Sequence, residues 1–369
     1  MHLPASVESI GNDCFRDSTN LKEITVGASL ASISEGMLRN TGIARIDVPA
    51  TVASIGPNAL RESKVEDVRF LGESGLTSIS ENAFASTPHL GRVVLPAGLE
   101  RLGQRAFYDS EIRGVSFSAG CPLESLEFQA FGSCAGLTDV ALPPNCVSIG
   151  ERCFEKCASL AIISLRSTVR AIEYMAFGQC ALLREFVIPE SSQLSEIKGR
   201  AFFECSGLTD FTAVPGSGFC AEGGILYDSS KSSIFAYLSA NRRKEITIEG
   251  KVRKINKFAF QLAANLERVV IPASVGEIGF QAFDGCSGIA SLQILSTTLT
   301  VEKEAFRGCV ALRCDSVEVG GGISRGELIA AGIPPGALEH CPTQLFTHGM
   351  GCGESGAVFA SILADECAE

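Results

Sequence analysis

Residues 149–160 read Ile149-Gly150-Glu151-Arg152-Cys153-Phe154-Glu155-Lys156-Cys157-Ala158-Ser159-Leu160. An aliphatic residue stands five before a Phe, a small residue just before it, and a Cys three after it. The same pattern returns with its anchor at Phe15, Leu38, Leu60, Phe84, Phe107, Phe131, Phe154, Phe177, Phe202, Phe260, Phe283 and Phe306. Successive gaps run from 22 to 25 residues, apart from one of 58 between Phe202 and Phe260. Self-similarity at such a period is the mark of a repeat architecture.

The columns within the unit decide which one. The aliphatic five before the anchor is filled in every unit, for instance by Ile33, Ile55, Ile79, Leu102 and Leu126. After the anchor comes an L-x-x-V-x-L step, as in Leu90, Val93 and Leu95, or Leu137, Val140 and Leu142. Alternating apolar positions make this a strand with an inward face, and Pro49, Pro96, Pro143, Pro189 and Pro272 stand where a ladder donor is no longer needed. The A-F-x-x-C step has room for one helical or 3₁₀ turn. Ankyrin and tetratricopeptide units need two helices in about 33 residues, and a propeller blade needs about 40, so the shorter period rejects both. A right-handed, β-rich leucine-rich-repeat solenoid of about 12–13 coils is expected.

The units resemble the BspA-like leucine-rich repeats, which read roughly I-G-x-x-A-F-x-x-C-x-x-L-x-x-I-x-I-P. The likeness covers about residues 3 to 317. Within the long gap, Gly224-Ile225-Leu226-Tyr227-Asp228 and Ile234-Phe235-Ala236-Tyr237 resemble that family's inserted hairpin, and the polar link Ser229 to Ser233 supports a hairpin on its own. The expected organisation is therefore a solenoid over 1–317 with an irregular insertion at about 213–250, followed by a degenerate last coil and cap over 318–369. The resemblance implies a protein-binding or surface-adhesion module with no common catalytic site and no cofactor. It also implies a cell-surface or secreted location; a complete N-terminus would instead suggest the cytoplasm. Met1-His2-Leu3-Pro4 falls in the strand-to-turn part of a unit, with no readable signal peptide and no polar cap. A truncated or excised array is the expectation there.

Charge and composition narrow the function. The chain carries 42 acidic and 31 basic side chains, net −11, a poor balance for a phosphate backbone, so nucleic acid is not expected. No run of about 18 apolar residues occurs, so no membrane span is expected. The four histidines His2, His89, His340 and His348 assemble no catalytic pairing, and no enzyme is expected. Six of the 15 cysteines (Cys134, Cys157, Cys180, Cys205, Cys286, Cys309) share the column three after the anchor, where other coils place Ser, Thr or Ala. A column that accepts these residues wants a small inward side chain, so a ladder of free thiols is expected, with Cys14 and Cys153 reading the same way in the Ala column.

The tail invites sharper readings that fail. His340, Cys341, His348, Cys352 and Cys367 match no common zinc spacing, and no metal is expected. Gly351-Cys352-Gly353-Glu354-Ser355-Gly356 spells a dinucleotide fingerprint, but too little chain follows for the second strand. Ile333, Ala337, Leu338 and Cys341 repeat the column spacing as a thirteenth coil, Gly320 to Gly322 reads as a flexible joint, and residues 357–366 read as a short covering helix.

Function is then expected on the outward residues of the long strands. In the first coils charges concentrate there, with Arg45, Arg69 and Arg92 among Asp47, Glu66 and Asp67, and Val94 begins a stretch of uncovered apolar residues. Arg beside apolar side chains is what protein interfaces favour. Arg45, Asp67, Arg69, Arg92, Val94 and Arg113 are the candidate contacts for a protein or glycan partner. The alternative is a scaffold segment of a larger protein, its face merely tolerating small and β-branched residues.

Overall fold

A computed structural model describes residues 1–27, 29–321 and 323–339. Most turns of chain supply one outward-facing strand of two to four residues and one two-residue inward-turning strand, and these stack in parallel on those of neighbouring turns. Among the long strands are β1 (Arg45–Val48), β2 (Asp67–Phe70), β3 (Arg92–Leu95), β4 (Gly114–Phe117) and β5 (Asp139–Val140). The short strands pair Ile33 with Ile55, Ile55 with Ile79, and Ile79 with Leu102, so the aliphatic column becomes a ladder of buried side chains one coil apart.

The anchor column forms a second stack. The rings of Phe84, Phe107, Phe131, Phe154, Phe177 and Phe202 follow one another at 5.0 to 5.8 Å, tilted by no more than 8°. Phe15 is only half-buried, because no described coil lies in front of it. Cys14 is exposed for the same reason, which corrects its reading as a buried structural thiol.

The turn before the long strand is not a helical turn of uniform hand. The residues two before and two after each of the twelve anchors read from the sequence have positive φ, for example Arg152 (54°) and Lys156 (62°). Between them the hydrogen bonds divide in two directions. Cys153, Glu155 and Cys157 N–H donate to the carbonyls three residues back, at 3.1 to 3.2 Å. Arg152, Phe154 and Lys156 N–H donate instead to Tyr174, Ala176 and Gly178 of the next coil, at 2.8 to 2.9 Å. The left-handed residues thus turn every second N–H outward, so that each coil is tied to the next along its turn side as well as along its sheets.

The long gap contains a coil of its own. Strands β6 (Phe219–Glu222), β7 (Ile225–Asp228) and β8 (Ser233–Tyr237) form an antiparallel meander. The expected hairpin is β7–β8, and β6 is an addition to it. β8 then pairs in parallel with the short strand Lys254–Ile255, so Ile234 enters the aliphatic ladder. Tyr237 N–H reaches Ala259 O at 2.6 Å, and its ring stacks on Phe260 at 5.2 Å. Tyr237 therefore fills the anchor position 23 residues before Phe260, and the solenoid has about 13 turns.

The meander also divides the interior. One apolar core runs from Ile24 to Leu238 and a second from Ile225 to Ala337. Alternate residues of β7 feed the two, Leu226 the first and Ile225 with Tyr227 the second. Among the described residues no strand ladder joins Glu196–Ile197 to β8.

At the far end the structure departs from the expected thirteenth repeat. Residues Val317–Val319 still pair with the sheet, and Gly320 N–H donates to Ile294 O at 2.7 Å. Helix α1 (Arg325–Ala330), closed by a Ser324–Glu327 capping box, then lies on the last coil with Leu328 buried. Phe306 N–H bonds Ala331 O at 2.7 Å, so Ala331 takes the place of the small residue before an anchor. Gly332 follows where the anchor would stand, and a Cβ there would lie 2.7 Å from Arg307 N, which leaves no room for one. Ile333 and Ala337 are buried as expected, but in the cap and not in repeat register. Cys341, the expected helix at 357–366, the tail histidines and cysteines, and the glycine-rich motif at 351–356 lie outside the described residues.

Candidate binding face

Parallel pairing of β1 with β2 sets Arg45 beside Asp67 and Asp47 beside Arg69, all on the outward side. The ion pairs nevertheless run along the strands: Arg69 Nε donates to Asp67 Oδ2 at 2.6 Å, and Arg45 Nε lies 3.7 Å from Asp47 Oδ1. Arg92 behaves differently. Its neighbour in register on β4 is Gly114, and beyond that on β5 is Asp139. With no side chain between them, the Arg92 guanidinium crosses one coil and binds Asp139 at 2.6 Å.

The long-strand sheet is interrupted between β2 and β3. Gly91 N–H still donates to Glu66 O at 3.0 Å, but no ladder follows it. A groove of about 690 Å³ opens over this interruption. Asp67, Arg69, Arg92 and Val94 line it, joined by Phe70 and Glu73. Four of the six expected contact residues thus meet in one concavity. Arg45 stands one strand away, and Arg113 is exposed just before β4 but not on the groove wall. Val94 is 60 % exposed, a large apolar side chain on open display, and neighbouring Leu71 is 44 % exposed.

Phe70 and Glu73 were not among the expected contacts. Their coil spans 24 residues from Leu60 to Phe84, and the added length falls in the Leu71-to-Gly75 bend, where Gly72 has φ 59°. That longer coil is the sequence signal.

On the turn side two left-handed arginines, Arg105 and Arg152, lie over aromatic rings of the next coil. Arg105 sits 5.1 Å from the Phe128 centroid and Arg152 5.7 Å from Tyr174, while their own N–H groups bond the carbonyls of those same residues. This arrangement ties coils together and leaves Arg152 partly committed.

The column thiols are built into the packing between coils. Four column thiols donate to the carbonyl of the preceding coil's anchor at 3.0 to 3.1 Å: Cys134 to Phe107, Cys157 to Phe131, Cys180 to Phe154 and Cys205 to Phe177. These cysteines are free and buried. Burial pushes the Cys134 thiol up to about 12 and raises Cys157 and Cys180 well above the ordinary range, the opposite of an activated nucleophile. Among the described residues no group of His, Cys, Asp or Glu could hold a metal ion, and no helix is long and apolar enough to cross a membrane.

A parallel solenoid with one long and one short strand per turn of about 23 residues, filled by an aliphatic ladder, defines a leucine-rich-repeat protein. The matching family is the BspA type leucine rich repeat region (6 copies), over residues 1–113, 110–217 and 229–318, and the chain belongs to it. A leucine-rich repeat protein from Bacteroides ovatus is similar in fold, at TM-score 0.53 and 20% identity over 86% of this chain and 77% of its own. A leucine rich cell surface protein from Faecalibacterium prausnitzii aligns at TM-score 0.45 and 21% identity over 82% and 86% of the two chains. The pneumococcal vaccine antigen PcpA does so at 0.39 and 17% over 81% and 68%. No protein of curated function matches.

Proposed function

We propose that the chain is a non-catalytic binding module that holds a partner protein, or a glycan, against its outward sheet face at the groove between β2 and β3. The observation that carries this reading is the convergence of Asp67, Arg69, Arg92 and Val94 on that groove, which sets an exposed apolar side chain beside two arginines. A planar, multiply donating cation beside apolar surface is the pairing most enriched at interface centres. Repeat arrays present such extended faces, and families of this fold are generally non-enzymatic.

Capture experiments with the purified full chain test it. Charge reversal by Arg69→Glu with Arg92→Glu should abolish capture of its partner, and Val94→Glu should do the same. Lys156→Glu on the turn side should capture normally; Lys156 is exposed, whereas Arg152 is a poor control because it rests on Tyr174. Normal capture by the face variants together with loss in Lys156→Glu would place binding on the turn side and overturn the reading.

A further inference from the structure

The outward charges of the first four coils have an order that the ion pairs within the chain do not use. The first outward column reads Glu23, Arg45, Asp67, Arg92, strictly alternating in sign. The second carries Asp47 beside Arg45 and Arg69 beside Asp67. All but half-buried Asp47 and Asp67 are exposed, and those two still keep 41% of their side-chain surface open. Were cross-coil pairing the purpose of this alternation, Arg45 would meet Asp67. It turns along its own strand instead, and Arg92 leaves the pattern altogether to reach Asp139.

Alternation over an even number of positions has a geometric consequence. Consider a two-fold axis parallel to the strands, lying above the face midway between β1 and β2. It keeps position along the strand and reverses the order of coils. Glu23 then faces Arg92 of a second copy, Arg45 faces Asp67, and Asp47 faces Arg69. Each contact occurs twice by symmetry, so all six residues meet an opposite charge and none a like one. In the same operation Thr25 faces Val94, so the exposed apolar residue meets a side chain that carries a methyl group. A closed two-fold contact requires a patch that is complementary to itself, and this patch meets the requirement.

We infer that the sheet face of the first four coils is a self-docking surface, and that the partner it takes is a second copy of this chain. The inference rests on the binding-face reading above and names its occupant. Elsewhere the net charge of −11 opposes association of two copies. These six residues sum to zero, so repulsion is weakest where the two faces would meet. Four coils stacked about 4.8 Å apart, each showing about 13 Å of outward chain, give a small footprint, so the contact belongs to the weak, transient class. Its strength rests on exposed charges, so it must fall steeply with salt.

Sedimentation velocity of the full chain, over a wide concentration range at about 50 mM and about 500 mM salt, reads this directly. The wild type should show a concentration-dependent dimer that high salt dissolves. An acid-face variant (Arg45→Glu, Arg69→Glu, Arg92→Glu) and a base-face variant (Glu23→Lys, Asp47→Lys, Asp67→Lys) should each be monomeric, with dissociation constants raised at least tenfold. Their circular dichroism and melting should match the wild type. Mixed one to one, the two should dimerise again at least as tightly as the wild type. A wild type that stays monomeric throughout, variants that dimerise unchanged, or a mixture that does not recover would each overturn the inference. If the monomeric wild type still captures another protein in an Arg69- and Arg92-dependent way, the binding-face reading stands and only the identity of the partner falls.

Discussion

Arg92 and Asp139 are joined at 2.6 Å across an intervening coil, and Gly114 is what permits it. A Cβ on Gly114 would lie 2.6 Å from Arg92 Nη1, so any larger residue there must push the guanidinium aside. Both partners are about two-thirds exposed, at 65 % and 63 %, which caps the energy of the pair. Exposed pairs contribute up to about 1 kcal/mol. Gly114→Val should therefore release Arg92 while changing stability by less than about 1 kcal/mol, since a β-branched residue also suits the strand. A double-mutant cycle on Arg92→Ala and Asp139→Ala, read by denaturant unfolding, should give a similarly small coupling. Coupling well above that would make the pair a structural staple and not a feature of the binding face.

The ring stack and the divided core predict where damage travels. Phe154 is fully buried between Phe131 and Phe177, and its truncation should cost about 3 to 5 kcal/mol. In a solenoid each coil supports mainly its neighbours. Loss of protection in hydrogen exchange should spread through the first core and stop at the meander, leaving Phe260, Phe283 and Phe306 in the second core protected. Uniform loss across residues 245–319 would show that the two cores unfold as one.

How much of this was legible in the sequence follows from which residues repeat. The aliphatic, anchor and thiol columns recur once per coil because each occupies an equivalent inward position. Their spacing therefore predicts the stack, as in Ile33 on Ile55. The candidate face was legible as columns of charge, but not as a groove. The gap between β2 and β3 arises from backbone pairing, which leaves no mark in residue type. Tyr237 was hidden because the meander precedes it, although its distance of 23 residues from Phe260 was there to be counted. The end cap was missed in a different way. Ser324-x-x-Glu327 is a capping-box pattern that outweighs the weak column match at Leu338.

The left-handed turn positions were also half-legible, and they carry a prediction. Early coils fill them with Asp13, Asp17, Gly36, Asn40, Asn58 and Asn82, residue types that tolerate positive φ. Later coils place Lys156, Met175 and Phe258 there, held by the backbone bonds to the next coil. Left-handed geometry costs an ordinary residue about 1 kcal/mol or more. At exposed Lys156, Gly should relieve that strain, partly offset by its greater freedom when unfolded, for a net gain of up to about 1 kcal/mol. Val at the same site, branched at Cβ, should lose more than about 1 kcal/mol. Thermal melts of Lys156→Gly and Lys156→Val should therefore shift in opposite directions. Equal shifts would mean that the turn relaxes out of the left-handed region.

The thiol ladder makes stability depend on alkaline pH. Burial raises Cys134 and Cys309 to about 12, so these groups stay neutral in the folded chain well above the pH at which a free thiol ionises. Unfolded thiols lose their protons near about pH 8.5. Below that value both states hold the proton and the thiols add no pH dependence. Above it the unfolded chain binds fewer protons, so stability falls as pH rises, until the folded thiols ionise in turn near about 12. Each such thiol contributes a slope approaching about 1.4 kcal/mol per pH unit inside this window. Serine fills the same column at Ser63 and Ser110, so replacing Cys134, Cys157 and Cys180 with Ser removes the titration while keeping a small hydroxyl in each place. Denaturant midpoints measured from pH 7 to pH 11 should fall more gently in that triple variant than in the wild type, and the two curves should run parallel below about pH 8. Equal slopes above that pH would mean that the column thiols already titrate in the folded chain, and rapid alkylation of Cys157 in the native protein at pH 8 would show the same.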